Sequence, residues 1–191
     1  PASDDGEKCI DPCNDGYTNN TDSKCVLSEA KDIFPNNTKV RIYSSDNRFH
    51  VEAAGHHAED MAINYRGKEY GSTNNGNWIL THKNGNIFRI CSEYNTNYCI
   101  KRRGTGANNN TINRRDDDRY NAVNRDYMTW ELTREGNTDI YSICNEDDVG
   151  GRCMHGSGGH HHGNEMTYYS LPNGTPLSEY PENVKFRIVK R

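Results

Sequence analysis

The segment IFRICSEYNTNYCIKRRG, residues 87–104, indicates how the chain folds, because two other stretches repeat its pattern. KVRIYSSDNRFHVEAAG occupies residues 39–55, and IYSICNEDDVGGRCMHGSG occupies residues 140–158. Each stretch contains two short apolar segments around a polar turn and closes on a glycine, as a pair of antiparallel strands does. The same place in the three copies is taken by Ile42, Ile90 and Ile143. Self-similarity at a spacing of 48 and then 53 residues predicts a fold built from a repeated unit.

Two further strands complete each copy. A third strand is predicted at residues 61–65, 121–125 and 166–170, where small or apolar residues alternate with polar ones. A fourth strand begins at an aromatic residue in each copy, namely Trp78, Trp130 and Phe186. Four short strands repeated three times predict an all-β chain with the β-trefoil plan, a six-stranded barrel capped by three hairpins. The predicted domain covers residues 38–191, with repeats at about 38–86, 87–139 and 140–191.

Residues 1–37 lie outside this repeat and form a short, acidic, cysteine-containing N-terminal extension. They carry eight carboxylate side chains against three lysines, so the rest of the chain is nearly neutral. The segment SEAKDIF, residues 28–34, predicts a short helix with Ser28 as its N-cap, ended by Pro35.

Composition limits the classes of protein to consider. Only 32% of the residues are apolar and the mean hydropathy is −1.07, which leaves a lean core. The net charge of −4 gives no reason to expect nucleic acid as a partner. No apolar run approaches the roughly 20 residues that span a bilayer, and an opening at Pro1 reads as a processed, secreted product. Four sequons would accept a glycan in the secretory pathway: Asn19, Asn36, Asn109 and Asn173.

The seven cysteines give the most specific signal. Cys91 and Cys99 flank the first hairpin of the second copy, and Cys144 and Cys153 take the aligned places in the third. Facing positions on adjacent antiparallel strands suit a disulfide, so two intramolecular bridges are predicted. Three cysteines remain, at positions Cys9, Cys13 and Cys25. Their odd number predicts either a free thiol or a bond to another molecule, as in a disulfide-linked homodimer or larger assembly.

Histidines are concentrated in the glycine-rich loop HGSGGHHHG. Imidazoles at this density bind transition metals, so a candidate metal set consists of His155, His160, His161 and His162. A flexible loop does not hold ligands in a fixed geometry, and an adventitious metal binder or a solvated loop is the favoured reading. No cofactor is predicted.

Catalytic motifs are missing from the sequence. It contains no Gly-x-Ser-x-Gly, no His-Glu-x-x-His, no phosphate-binding loop and no dinucleotide fingerprint. A triad assembled from distant residues leaves no local signature. We therefore expect a protein that is not an enzyme.

The repeat resembles ricin-type lectin domains in two features. A cysteine followed by an aliphatic residue stands on the second strand, as Cys99-Ile100 and Cys153-Met154, and an aromatic residue opens the fourth. The resemblance implies a β-trefoil and sugar binding through an Asp that follows the pair. That position holds Glu52, Lys101 and His155 here, so the first copy alone keeps a carboxylate.

The second copy is also similar to the trefoil domain of low-molecular-weight lipoproteins of insect haemolymph. The similarity lies in the segment around Glu93-Tyr94-Asn95, in Asp118-Arg119 and in TWELT at 129–133. It implies an extracellular storage, carrier or glycan-binding role.

The leading hypothesis is a secreted, non-catalytic protein that recognises a carbohydrate or glycoconjugate, or another extracellular protein, through its loops. The candidate ligand contacts are His50, Glu52, Tyr65, Tyr94 and Tyr98. An alternative is an extracellular structural or storage protein that assembles through an intermolecular disulfide. A third is a trefoil protease inhibitor that presents one of the disulfide-closed turns, 92–98 or 145–152.

Overall fold

The structure is a computed structural model of the 191-residue chain. It describes residues 17–19, 25–27, 29–54, 61–71, 73–102, 112–116, 128–145, 152–171, 175 and 177–191. Within 17–19, 25–27 and 112–116 the description covers the backbone alone. No helix in the described ranges is long and apolar enough to cross a membrane.

Strands dominate the described residues. A two-stranded sheet pairs β1 (Tyr17–Asn19) with β2 (Cys25–Leu27). One large sheet contains the strands β3 (Thr38–Ser44), β4 (Phe49–Ala53), β5 (Met61–Gly67), β6 (Trp78–Asn84), β7 (Ile87–Ser92), β8 (Tyr98–Arg102), β9 (Ile112–Asp116), β10 (Thr129–Arg134), β11 (Ile140–Asn145), β12 (Arg152–Gly156), β13 (Met166–Ser170) and β14 (Phe186–Lys190). The chain is all-β, as the alternating pattern predicts.

Six of these strands close into a ring. β3 pairs with β6, β6 with β7, β7 with β10, β10 with β11, β11 with β14, and β14 returns to β3. Every pairing is antiparallel. Closure gives each of the six strands a partner on both sides, so this part of a very polar sheet leaves no open edge.

The other strands form three hairpins on the barrel. β4 pairs with β5, β8 with β9 and β12 with β13, and each hairpin joins the barrel through its first strand. One prediction needs correction here. The strand that pairs with β8 is Ile112–Asp116 and not the predicted segment 121–125, which falls outside the described residues. The alternation in residues 121–125 was thus a misleading signal for this pairing.

The segment before β3 contributes to the core. A short helix, α1 (Ala30–Ile33), begins after Glu29, whose backbone N–H donates to Asp32 Oδ2 at 3.2 Å, so Glu29 and not Ser28 is the N-cap. Ala30 and Phe34 are both 1% exposed and pack in the barrel core, with the Phe34 ring 5.4 Å from that of Tyr141. Burying these apolar side chains holds the helix on the barrel.

The aromatic residues that open the fourth strands anchor this core. Trp78 and Trp130 are fully buried, and their indole N–H groups donate to the carbonyl oxygens of Val51 and Ile100, each at 3.0 Å. Phe186 is fully buried at the third aligned position. An indole ring whose N–H is hydrogen-bonded gains the full hydrophobic stabilisation of burial, because it leaves no unsatisfied donor in the core.

Both predicted disulfides are present. Cys91 faces Cys99 across β7 and β8, and Cys144 faces Cys153 across β11 and β12, and each pair is bonded. The same register in the first hairpin pairs Tyr43 with His50, whose rings lie 5.7 Å apart. Three aligned positions therefore join the barrel to its hairpins, twice by a covalent bond and once by a ring contact.

Candidate functional site

A polar depression of about 300 Å³ lies where the loop after β7 meets the segment that precedes β6. Tyr94 stands at its edge with 67% of its surface exposed, the largest value for a large apolar side chain in the described part of the chain. We term this feature the Tyr94 depression. Its lining consists of Asn74, Asn77, Glu93, Tyr94 and Arg191.

The floor of the depression is held by backbone contacts. The Glu93 N–H donates to the Asn77 carbonyl oxygen at 3.0 Å, which ties the loop after β7 to the start of β6. The Asn77 side chain in turn accepts from Arg41 Nε at 3.1 Å and is nearly buried. Asn74 opens a single 3-10 turn, Asn74–Gly76, whose capping residue Thr73 accepts from the Asn75 N–H. These bonds fix the two asparagines relative to Glu93.

The loop that carries Tyr94 is closed at both ends. The Cys91–Cys99 bridge joins its strands, and the Tyr98 N–H donates to the Asn95 carbonyl oxygen at 3.0 Å. Within this turn the Asn95 side chain accepts the Asn97 N–H at 3.1 Å. A loop restrained in this way loses little conformational entropy when Tyr94 binds a ligand. Tyr98, the neighbouring candidate, starts β8 and is half-buried.

Glu93 is the electrostatic centre of the depression. Its carboxylate accepts from Lys39 Nζ at 2.7 Å and from Arg191 Nη1. The Lys39 hydrogen bond lowers the pKa of Glu93 more than burial raises it, and Arg191 lowers the pKa further. Glu93 therefore remains a carboxylate at physiological pH and holds both cations at the rim.

Glu52, the carboxylate that the lectin resemblance suggested, is buried outside the Tyr94 depression. Glu52 on β4 is 5% exposed and accepts from Thr73 Oγ1 at 2.7 Å and from Arg66 Nη1 at 3.4 Å. Burial lowers the pKa of its neighbour His50, against the opposing effect of the Glu52 charge. The cleft between Arg41 and these residues leaves no space for a water molecule among the described atoms. Glu52 thus acts as an internal bracing group in this conformation.

Tyr65 also needs correction, because it is a core residue and not a loop contact. Its side chain is fully buried among the rings of Phe49, His160 and Phe186. Burial raises the pKa of its hydroxyl far above the ordinary value. Gly156 lies against the ring so closely that a Cβ there would be 2.3 Å from Tyr65 Cε2. The alternation in MAINY already places Tyr65 on the same face as the buried Ile63, a signal that the ligand assignment overlooked.

The four candidate metal ligands do not converge. His155 Nδ1 lies 3.0 Å from Thr167 Oγ1, whereas His160 Nδ1 lies 3.4 Å from Asp46 Oδ2. His162 Nδ1 accepts the Gly67 N–H at 3.2 Å. No set of three or more metal-binding side chains comes together in the described ranges, which include this loop.

The histidines do not converge because the histidine-rich loop packs along β5. The Tyr65 N–H donates to the Asn164 carbonyl oxygen at 2.9 Å, and the Gly163 N–H donates to the Tyr65 carbonyl oxygen at 2.7 Å. The His162 ring stacks on Tyr70 with 4.1 Å between centroids, while His161 remains exposed. Different partners therefore engage His155, His160 and His162, so the metal assignment rests on composition and the structure does not support it.

Several predicted sites fall partly or wholly outside the described residues. Those outside are Cys9, Cys13, Asn109 and Asn173. Cys25 and Asn19 face each other in the backbone register of β1 and β2. Asn36 is exposed, and its side-chain oxygen accepts the His82 N–H at 3.0 Å. Glycosylation at these sites and the pairing of the remaining cysteines stay predictions.

Four residues of the Tyr94 depression, namely Asn74, Asn77, Glu93 and Arg191, were not among the ligand contacts predicted from the sequence. Asn74 and Asn77 belong to an Asn-rich stretch, STNNGN, that reads as an ordinary turn. Arg191 contacts Glu93 across 98 positions of sequence, a distance at which a single sequence gives no pairing signal. The repeat pattern could have indicated the contact of Arg191, because it predicts that β14 lies beside β3.

No protein-family model and no curated protein matches this chain. Solved structures do match it. The designed 3-fold symmetric protein ThreeFoil gives a TM-score of 0.63 at 12% identity, covering 79% of this chain and 97% of that chain. The Macrolepiota procera ricin B-like lectin, solved in complex with lactose, gives 0.58 at 13% identity, with coverages of 85% and 97%. The protein described as BEL beta-trefoil gives 0.56 at 14% identity, with coverages of 83% and 99%. The chain therefore resembles β-trefoil proteins in fold, including a ricin B-like lectin.

Proposed function

We propose that this chain is a secreted, non-catalytic protein that binds a carbohydrate or glycoconjugate at the Tyr94 depression. The observation that carries the proposal is the exposed Tyr94 ring beside a set of fixed polar groups. The apolar face of a pyranose stacks on an aromatic ring, and its hydroxyls need donors and acceptors held in place. Asn74 and Asn77 supply such groups at the depression.

The chemistry of the depression supports binding over catalysis. Glu93 is the one side-chain carboxylate among the described residues that line it, and the pKa of that carboxyl is lowered by Lys39 and Arg191. A general acid for glycoside cleavage needs a carboxyl whose pKa is raised, and a second carboxyl group within about 5–10 Å. The residues that line the depression supply neither feature.

Secretion and the repeat organisation are parts of the same proposal. Two disulfides favour an oxidising compartment, and the four sequons agree with it. The closed ring of six strands and its three hairpins support three four-stranded repeats in residues 38–191, with residues 1–37 as an extension. The ricin B-like lectin among the structures of similar fold adds to the case for carbohydrate as the ligand class.

A glycan array with purified protein tests the proposal. Tyr94→Ala should weaken binding by roughly tenfold, because the stacking ring is lost. Tyr70→Ala is the matched control, since Tyr70 is 55% exposed, contacts the His162 ring and is not part of the lining of the depression. Equal loss in both variants, or no glycan signal for the unmodified protein, would remove the proposal.

A second candidate function uses the same loop. A disulfide-closed turn that exposes a tyrosine has the form of a protease-inhibiting loop, and chymotrypsin-like enzymes take aromatic residues in their specificity pocket. It predicts inhibition of a chymotrypsin-type protease that Tyr94→Gly abolishes. Cleavage of the loop with no inhibition would exclude this candidate.

A further inference from the structure

The Tyr94 depression carries more positive than negative charge. Lys39 and Arg191 both bind Glu93, and Arg41 bonds to the Asn77 side chain in the lining. At the rim two cationic side chains stand against one carboxylate, a local side-chain charge of +1; Arg41 is left out of this sum because it shares a cleft with Glu52. The whole chain carries −4, so this place has the opposite sign to the average of the molecule.

The cations at the rim keep donors for a further anion. An ammonium has three N–H donors and a guanidinium has five, and Glu93 is the acidic partner of both among the described residues. The Lys39 and Arg191 side chains are 57% and 35% exposed. The Arg191 N–H also donates to the Lys39 carbonyl oxygen at 3.0 Å, which holds the two residues together.

We infer that the depression selects acidic sugars, in which a carboxylate or sulfate of the glycan lies between Lys39 and Arg191 while the ring stacks on Tyr94. The inference rests on the proposed function, because it names the ligand class of the same depression. Glu93 orients the two cations and prevents them from repelling each other, and the acidic group of the ligand then takes the donors that face outward. A neutral sugar would use the ring and the asparagines alone.

Matched pairs of sugars separate charge from shape. Isothermal titration would compare methyl galactoside with methyl galacturonide, methyl glucoside with methyl glucuronide, and N-acetylglucosamine with its 6-sulfate. Members of a pair differ only in the acidic group, so a preference for the acidic member measures the contribution of the cations. We expect at least one acidic member to bind roughly fivefold more tightly than its neutral partner, and the gap to shrink as salt is raised from about 0.05 to 0.5 M.

Variants then assign the charge to this site. Lys39→Gln and Arg191→Gln should each remove most of the preference for the acidic sugar while leaving neutral-sugar affinity nearly unchanged, which also shows that the variant is folded. Lys83→Gln removes the same charge from an exposed position in the β6–β7 hairpin and should change neither. Tyr94→Ala should weaken both members of a pair.

The outcomes are distinguishable. Equal affinity within every pair overturns the acidic-sugar inference but leaves carbohydrate binding in place. A preference lost equally in Lys83→Gln also overturns it, since the effect would then come from net charge. Absence of binding to either member of every pair and to a glycan array refutes the proposed function itself.

Discussion

Replacing Gly156 by alanine should destabilise the protein through a single contact. An ideal Cβ at this position would lie 2.3 Å from Tyr65 Cε2 and 3.2 Å from Cδ2 and Cζ of the same ring. Both residues are buried, and the ring is packed between Phe49 and Phe186, with centroids at 5.9 and 6.5 Å. Because the Tyr65 ring is fully buried and contacts three other rings, we expect the added methyl to displace the backbone of β12.

Inserting a methyl group into a filled core costs about 1–3 kcal/mol. Since the clash here is with a rigid ring, we expect about 2 kcal/mol of lost unfolding free energy. For a chain of this size that corresponds to a decrease in Tm of roughly 4–8 °C. Trp78 and Trp130 are fully buried, so intrinsic fluorescence during urea unfolding reports the transition directly.

A double-mutant cycle shows whether the cost comes from this ring. In a Tyr65→Ala background the same Gly156→Ala change should be neutral or stabilising, because the methyl then enters the space left by the ring. Gly85→Ala is the control: φ there is +47° and no atom lies within 4 Å of its Cβ position, so its cost of about 1 kcal/mol comes from the backbone alone. An unchanged urea midpoint for Gly156→Ala, or strict additivity with Tyr65→Ala, would refute the reasoning.

Three further outcomes follow from the described contacts. Replacing Cys91 and Cys99 by alanine should cost about 2–3 kcal/mol in urea unfolding, because the short loop gains freedom in the unfolded chain, and an unchanged midpoint would contradict this. Burial favours the protonated form of Asp46, but hydrogen bonds, with Ser44 Oγ at 2.5 Å the foremost, outweigh it and hold the pKa of Asp46 well below its usual range. The stability that Asp46 contributes is therefore present above about pH 4 and is lost as pH falls further, so Asp46→Asn should flatten the acid limb of an unfolding curve. Burial raises the pKa of Tyr141 to about 12, so stability should fall above about pH 10, and ultraviolet titration should show a tyrosine that ionises late.

The fold was largely predictable because its signals are local and repeated. Buried residues alternate with more exposed ones along β3 and β10, and the facing cysteines predicted the register of two hairpins. The partner strand of β8 is where this pattern failed as a predictor. Residues 121–125 alternate as a strand does, but INRRD at Ile112–Asp116, in which charged residues predominate, pairs with β8. Whether a segment pairs with β8 depends on its contacts with that neighbouring strand, so the pattern of polarity within the segment alone does not predict it.

The candidate site was much less predictable, and for a different reason. Tyr94 was among the predicted ligand contacts because it lies in a loop of the predicted trefoil, and the structure leaves it exposed there. Glu52 and the histidines were predicted as ligands from their chemistry. In the structure they make internal contacts instead: Glu52 with Thr73, His155 with Thr167 and His162 with Gly67. A polar side chain has many local partners in a folded chain, so its type alone does not show whether it faces a ligand.

The place of the Tyr94 depression follows from how the barrel closes. Lys39 stands on β3, Glu93 follows β7 and Arg191 follows β14, positions far apart in sequence. They meet because β3 pairs with β6 on one side and with β14 on the other, where Lys190 faces Val40, while β6 carries β7 beside it. The ion pairs among these residues thus cross the seam between the first and last barrel strands. An acidic ligand held between Lys39 and Arg191 would bridge the same seam, and its binding free energy would add directly to the stability of the closed barrel.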